Sequence, residues 1–271
     1  ISGGYCSHNP ETYKPKFHCR RQSGMNFAPD LKNADSNDLI REDNTYGRTL
    51  FFDLDNTLLD FNRAERAAIA KTLKSFHIAP EPSVLKRYSE LNLAQWKLLE
   101  QGKITETGKA SEIPALFAEL NVDIPAKEAA HTYETLLAQG HYFIDGAEEL
   151  LETLYGQYRM YLVTNGTLSV QKDGLKSSGI SRYFEDIFIS EELGYNKPGR
   201  EYFNCCFSRI PNFHKETAVI IGDSLTSDIQ GGINAGIRTI WFNPSHEKTS
   251  EIIPDHEFDS LMKLPELLSH I

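Results

Sequence analysis

Five short apolar runs punctuate the chain, at residues 49–52, 160–163, 187–189, 218–221 and 239–242, with helical patterns at 146–156, 168–178, 199–209 and 227–235 between them. Each helical stretch has the length of a crossover helix. Strand runs that are apolar throughout and alternate with helices belong to a parallel sheet covered on both faces. The expectation is an α/β fold of three layers. With 271 residues, of which 40% are hydrophobic, the chain can bury the core that such a fold needs.

Residues 62–143 break the rhythm. They hold amphipathic helical stretches at 63–77, 83–100, 109–120 and 126–139, with Pro80, Pro82, Gly102, Pro125 and Gly140 at the cuts and no strand pattern. This segment is expected to form an all-helical cap domain inserted into a core domain made of residues 48–61 and 144–271. Residues 1–47 are rich in Asn, Asp, Ser, Pro and Lys and lack apolar periodicity, which suits a disordered leader or an appended segment. Cys6, His8, His18 and Cys19 within them match no common zinc spacing. Cys205 and Cys206 are adjacent in a helical pattern and are expected to pack as small apolar residues, so the four cysteines form no disulfide framework. A formal charge of -10 offers no basic field for a nucleic acid polymer or a membrane surface. No apolar run approaches the roughly 20 residues of a membrane span. The sequence reads as a soluble, cytoplasmic protein.

The residues just past each strand run carry the chemistry, because ligands of open parallel sheets bind at the carboxyl ends of strands. The first run ends at Asp53-Leu54-Asp55-Asn56-Thr57 and the second at Thr164-Asn165-Gly166. The third is followed by Lys197-Pro198, and the fourth by Gly222-Asp223-Ser224 and then Asp228. Each alone is ordinary turn or capping chemistry. Together, in order and each behind a strand, they exceed what turns require. Asp53 and Asp55 lie two positions apart, on one side of extended chain, so a metal or a proton must relieve their repulsion. Hard oxygen ligands select magnesium, with Asp223, Asp228 or both completing the shell. A carboxylate nucleophile suits phosphoryl transfer through an aspartyl-phosphate, with Lys197 and Thr164 on the phosphoryl oxygens.

These residues resemble the haloacid dehalogenase superfamily, whose hallmark is the Asp-x-Asp-x-Thr loop seen at 53–57. Thr164, Lys197 before Pro198, and Gly222-Asp223 with Asp228 match its other signatures, and the resemblance spans residues 49–271. It implies a Rossmann-like core, Asp53 as nucleophile, Asp55 as general acid and base, and Thr164, Asn165 and Lys197 on the phosphoryl group. It also implies magnesium on Asp53, the Asp55 carbonyl and Asp223, with Asp228 a ligand through water or a partner of the ligands. The insertion between Asp53 and Thr164 matches the helical cap of the branch that acts on small molecules. The acid at Asp55 argues for phosphoryl chemistry, since a leaving halide needs no proton.

The stretches at 189–194, 164–166 and 222–236 look like those of cytosolic nucleotidases that hydrolyse pyrimidine nucleoside monophosphates. The expected activity is therefore a magnesium-dependent 5'-nucleotidase. A sugar phosphatase or phosphomutase is the enzymatic alternative, and a binding or regulatory protein without turnover the alternative of another class. Asn62 with Phe61, Trp96 on a cap helix, and Tyr142 with His141 and Phe143 are the candidate substrate residues. His131 is expected to be an ordinary surface residue.

Overall fold

The computed structural model describes residues 47–100, 103, 112–248 and 251–271. Residues 1–46 of the expected leader, with its Cys and His residues, Gly102 and the start of a helix at Lys109 lie outside the described residues. The first strand, β1 (Thr49–Phe52), leads into four helices, α1 (Phe61–Ser75), α2 (Pro82–Glu100), α3 (Glu112–Glu119) and α4 (Ala126–Ala138). The chain returns through α5 (Ala147–Leu154), β2 (Arg159–Thr164), α6 (Leu168–Ser178), β3 (Asp186–Ile189), the single turn α7 (Ser190–Leu193) and α8 (Arg200–Arg209). It closes with β4 (Ala218–Gly222), α9 (Gln230–Ala235), β5 (Arg238–Phe242), β6 (His256–Phe258) and α10 (Leu264–Ser269).

The strands form one sheet in the order β3-β2-β1-β4-β5-β6, every pairing parallel. This is the α/β, Rossmann-like arrangement expected. Every residue of β1 is buried, as a central strand covered on both faces requires. Leu50 and Phe52 face a core shared with Leu150, Leu162, Ile221 and Ile240. Phe51 points the other way, among Tyr161, Phe188, Tyr202 and Ile220. Each fully buried Phe or Leu contributes about 1.5–3 kcal/mol. Cys205 and Cys206 are buried in the second core, as small apolar residues would be. No helix of the described residues is long and apolar enough to cross a membrane.

Helices α1 to α4 enclose a third core, built on Ile69, Leu73, Tyr88, Phe117 and Leu137. Tyr88 and Tyr133 satisfy their buried hydroxyls against each other at 2.6 Å. Helix α1 begins at Phe61, slightly ahead of the pattern, because Asp60 caps it: the carboxylate accepts from the Arg63 amide at 2.9 Å. The chain crosses to these helices and back along two paired segments. The Asp60 amide donates to the Tyr142 carbonyl at 2.7 Å and the Ile144 amide to the Leu58 carbonyl at 2.9 Å.

Two differences from the sequence pattern stand out. The stretch expected as one helix over 227–235 splits into a π-helical turn, Leu225–Ile229, followed by α9. The edge strand β6 and α10 were absent from the pattern, since β6 buries only Phe258 and shows no alternation to read.

Candidate active site

Strand order reverses about β1, and Asp53 follows β1 directly; its amide donates to the Ile221 carbonyl at 2.9 Å, carrying the ladder one residue further. The chain then leaves the sheet in a tight loop. Asn56 takes a left-handed conformation (φ 63°), which Asn tolerates better than most residues, and its amide closes on the Leu59 carbonyl at 2.6 Å. Thr57 is fully buried and its hydroxyl accepts from the Asp223 amide at 3.1 Å, tying this loop to the end of β4.

Lys197 is 1% exposed. Its ammonium donates to Asp53 Oδ1 at 2.6 Å, Asp228 Oδ1 at 2.7 Å and the Val163 carbonyl at 2.9 Å, which uses all three of its N–H bonds. Asn165 grips the Lys197 backbone from both sides, donating to its carbonyl and accepting from its amide, each at 2.8 Å. The Asn165 carboxamide is thus engaged in fixing Lys197. Thr164 Oγ accepts from the Gly166 amide at 3.1 Å, so its proton can be donated elsewhere. Asp228 sits in the π-helical turn, where its Oδ2 accepts from the Ser224 amide at 3.1 Å. Gly222 faces it closely: a Cβ there would overlap the Asp228 carboxylate.

The charge balance is uneven. Burial, then Asp228, push Asp53 up to about 7 although Lys197 pulls it down. Burial pushes Asp55 up to about 6, against the hydrogen bond from Gln171. Burial with Asp53 and Asp228 raises Asp223 well above the carboxylate range. Burial favours a neutral Lys197, but Asp228 and Asp53 outweigh it and hold the amine protonated. Four acids thus crowd one cation.

Asp53, Asp223 and Asp228 each offer a carboxylate oxygen, all within 4.8 Å of one another. Three hard oxygen donors with surplus negative charge fit a magnesium ion, which retains waters and tolerates no soft ligands. The Asp55 carboxylate stands outside that trio; it faces Gln171, whose Nε2 donates to Asp55 Oδ2 at 2.7 Å.

These groups open onto a crevice of about 560 Å³. Its other wall comes from α1 and α2, with Phe61, Asn62 and Trp96 among its lining. Tyr142, expected to face substrate, does not line it: the ring packs against the third core and lies under the Arg63 guanidinium at 4.2 Å. His141 is bonded through Nδ1 to Ser177 Oγ at 2.9 Å, and His131 is exposed. The sequence reading missed Glu65, Asn92 and Gln171. Each is buried, and Glu65 and Asn92 are hydrogen-bonded to each other in the crevice wall. A signal was available, since each is a polar residue on the buried stripe of an amphipathic helix.

The sequence profile of haloacid dehalogenase-like hydrolases matches residues 50–242. The chain belongs to that family. HAD-hydrolase YfnB of Bacillus subtilis is 39% identical over 224 residues, which is 82% of this chain and 95% of the relative. Its magnesium-bound crystal structure superposes with a TM-score of 0.77, covering 82% of this chain and 99% of that one. Pyrimidine 5'-nucleotidase PynA of Streptococcus pneumoniae is 39% identical, over 81% of this chain and 94% of its own length. Pyrimidine 5'-nucleotidase YjjG of Escherichia coli is 30% identical, over 81% and 96%. Within the family, the chain is a hydrolase of phosphatase type.

Proposed function

We propose that this protein is a magnesium-dependent phosphomonoesterase that hydrolyses pyrimidine nucleoside 5'-monophosphates, with Asp53 as nucleophile. The observation that carries this reading is the position of the Asp53 carboxylate. It is held at 2.6 Å by Lys197, beside two further acids, at the floor of a crevice large enough for a mononucleotide. The two pyrimidine nucleotidases among its relatives supply the substrate class.

In the proposed reaction the phosphoryl oxygens meet the Thr164 hydroxyl and Lys197, and Asp53 attacks phosphorus in line with the departing ribose 5'-oxygen. Asp55 gives that oxygen its proton, and the nucleoside leaves. Asp55, now a carboxylate, takes a proton from water, which attacks the aspartyl-phosphate and returns Asp53. Asp53, Asp223 and Asp228 would hold the magnesium ion, with the Asp55 carbonyl as a further ligand, and it would supply positive charge against the phosphoryl oxygens. Helices α1 to α4 would act as a cap: the nucleoside lies between the catalytic floor and the α1–α2 wall, where Phe61 and Trp96 offer apolar faces and Asn62, Glu65 and Asn92 offer hydrogen bonds. Water kept from the acyl phosphate until the nucleoside has gone favours clean turnover.

The test is phosphate release from dUMP, UMP and dTMP beside a set of sugar phosphates, with magnesium and with EDTA. The reading expects magnesium-dependent release led by the pyrimidine nucleotides. Release led by sugar phosphates would overturn the nucleotide assignment, and a requirement for a bisphosphate activator would point to a mutase.

A further inference from the structure

Gln171 is a buried side chain, 5% exposed, on the first half of α6, a helix that follows the Thr164 loop. A carboxamide in that position is costly unless both of its ends are engaged. Its Nε2 reaches Asp55 Oδ2 at 2.7 Å and Thr164 Oγ at 3.3 Å, so one amide group touches two residues of the proposed site. The chain makes room for it. A Cβ on Gly166 would overlap the Gln171 carboxamide, so the glycine in the Thr164-Asn165-Gly166 turn is what lets this side chain pass over the loop. Val170, next to it on α6, packs against the core of the α1–α4 unit, and Ser177 further along holds His141 at 2.9 Å. The helix that carries Gln171 is therefore braced from the cap side as well as from the sheet.

We propose that Gln171 is the positioning residue of the general acid: it holds the Asp55 carboxyl group at the angle from which the leaving oxygen can be protonated. This rests on the reading of Asp55 as the acid and base of a phosphomonoesterase. An Asp side chain has two rotatable bonds, and after its short loop Asp55 is half-buried with room around it: Asp55, Gln171, Gly174, Leu137 and Gly140 all border a small void of about 30 Å³ between α4 and α6. The Gln171 amide is the side-chain donor that ties the carboxylate to one side of that space. A misplacement of about 1 Å in such a group costs on the order of 10²-fold in rate.

The expected consequence depends on the leaving group. Expelling an alkoxide needs a proton, whereas p-nitrophenolate leaves readily without one. Gln171→Met keeps the length and volume of the side chain and removes the donor; Gln171→Asn keeps the donor and shortens its reach. The experiment measures kcat and KM for dUMP and for p-nitrophenyl phosphate in wild type, both Gln171 variants and Asp55→Asn, with circular dichroism to confirm folding. The expected result is a fall in kcat/KM for dUMP of about 10²-fold in the Met variant. KM should be little altered and the fall on p-nitrophenyl phosphate much smaller, with the same substrate pattern in the Asn variant. Equal losses of kcat/KM on both substrates would mean that Gln171 serves packing alone, since kcat/KM reports the step that expels the leaving group and not the later hydrolysis that both substrates share, and no loss on dUMP would mean that Asp55 needs no clamp. Either result overturns the proposal. If kcat/KM of Asp55→Asn itself shows no dependence on the leaving group, the assignment of Asp55 as the acid falls, and Gln171 with it; a leaving-group effect on kcat/KM confined to Asp55→Asn sinks only the clamp.

Discussion

Lys197 shows how a single side chain can carry structure and chemistry together. Its three donors bind Asp53, Asp228 and the end of β2, so it links three strands of the sheet at the proposed site. Removing one member of a buried ionic cluster strands the others. Lys197→Met is expected to abolish turnover and to cost about 3–5 kcal/mol of stability, read from urea unfolding. Asp53→Asn should behave in the opposite sense. Asp53 is raised to about 7, so above that pH its ionised form is disfavoured by folding. A neutral isostere should abolish activity yet raise the Tm of the metal-free protein. A loss of Tm would contradict the charge balance described. That Asp53, Lys197 and the acids after β4 meet was legible from sequence because each follows an apolar run. Gln171, Glu65 and Asn92 were passed over: each falls on the apolar stripe of its helix, which marks it as buried, but the groups it meets there are fixed only by packing.

At the scale of elements, the sheet was readable and the wall of the crevice only in part. Strand runs that are apolar on both faces announce a central parallel strand, and β1 to β5 lie where those runs fall. The edge strand β6 escaped because three residues with one buried side chain carry no period. The π-helical turn escaped too. It shifts the register of the helix after β4 and brings Asp228 against Lys197, and no local pattern distinguishes it from α-helix. The candidate substrate residues divided: Phe61, Asn62 and Trp96 line the crevice, while Tyr142 turns into the neighbouring core. The element that should govern substrate choice is the α1–α2 wall. Trp96→Ala is expected to raise KM for dUMP by about tenfold, with a smaller change in kcat, since an aromatic stacking face is worth about 1–3 kcal/mol per base. A change in kcat alone would place Trp96 outside the substrate's reach.

For the whole molecule, the crowded acids predict an unusual pH dependence of stability. Asp53 and Asp55 have folded-state values of about 7 and 6 against an ordinary 3.8, and Asp223 is raised as well. The folded state therefore binds more protons than the unfolded state between about pH 4 and 7, and stability falls as pH rises through that window. In EDTA, the Tm should be lower at about pH 8 than at about pH 5.5. Magnesium should recover the loss mainly at the higher pH, since it binds ionised carboxylates, with about 2–4 °C for each kcal/mol. A Tm insensitive to pH in EDTA, or a magnesium effect equal at both values, would contradict this account.

The central claim is that the phosphoryl group travels through Asp53. Asp55→Asn offers the means to catch it there: p-nitrophenyl phosphate can phosphorylate Asp53 without an acid, but the water that follows would lack its base, so the intermediate should accumulate. The measurement is peptide mass analysis after acid quench of that variant during turnover. The account predicts the mass of one phosphoryl group on the peptide containing Asp53, absent when Asp53→Asn is added. Phosphate release with no modified peptide, persisting in Asp53→Asn, would show that water attacks the substrate directly.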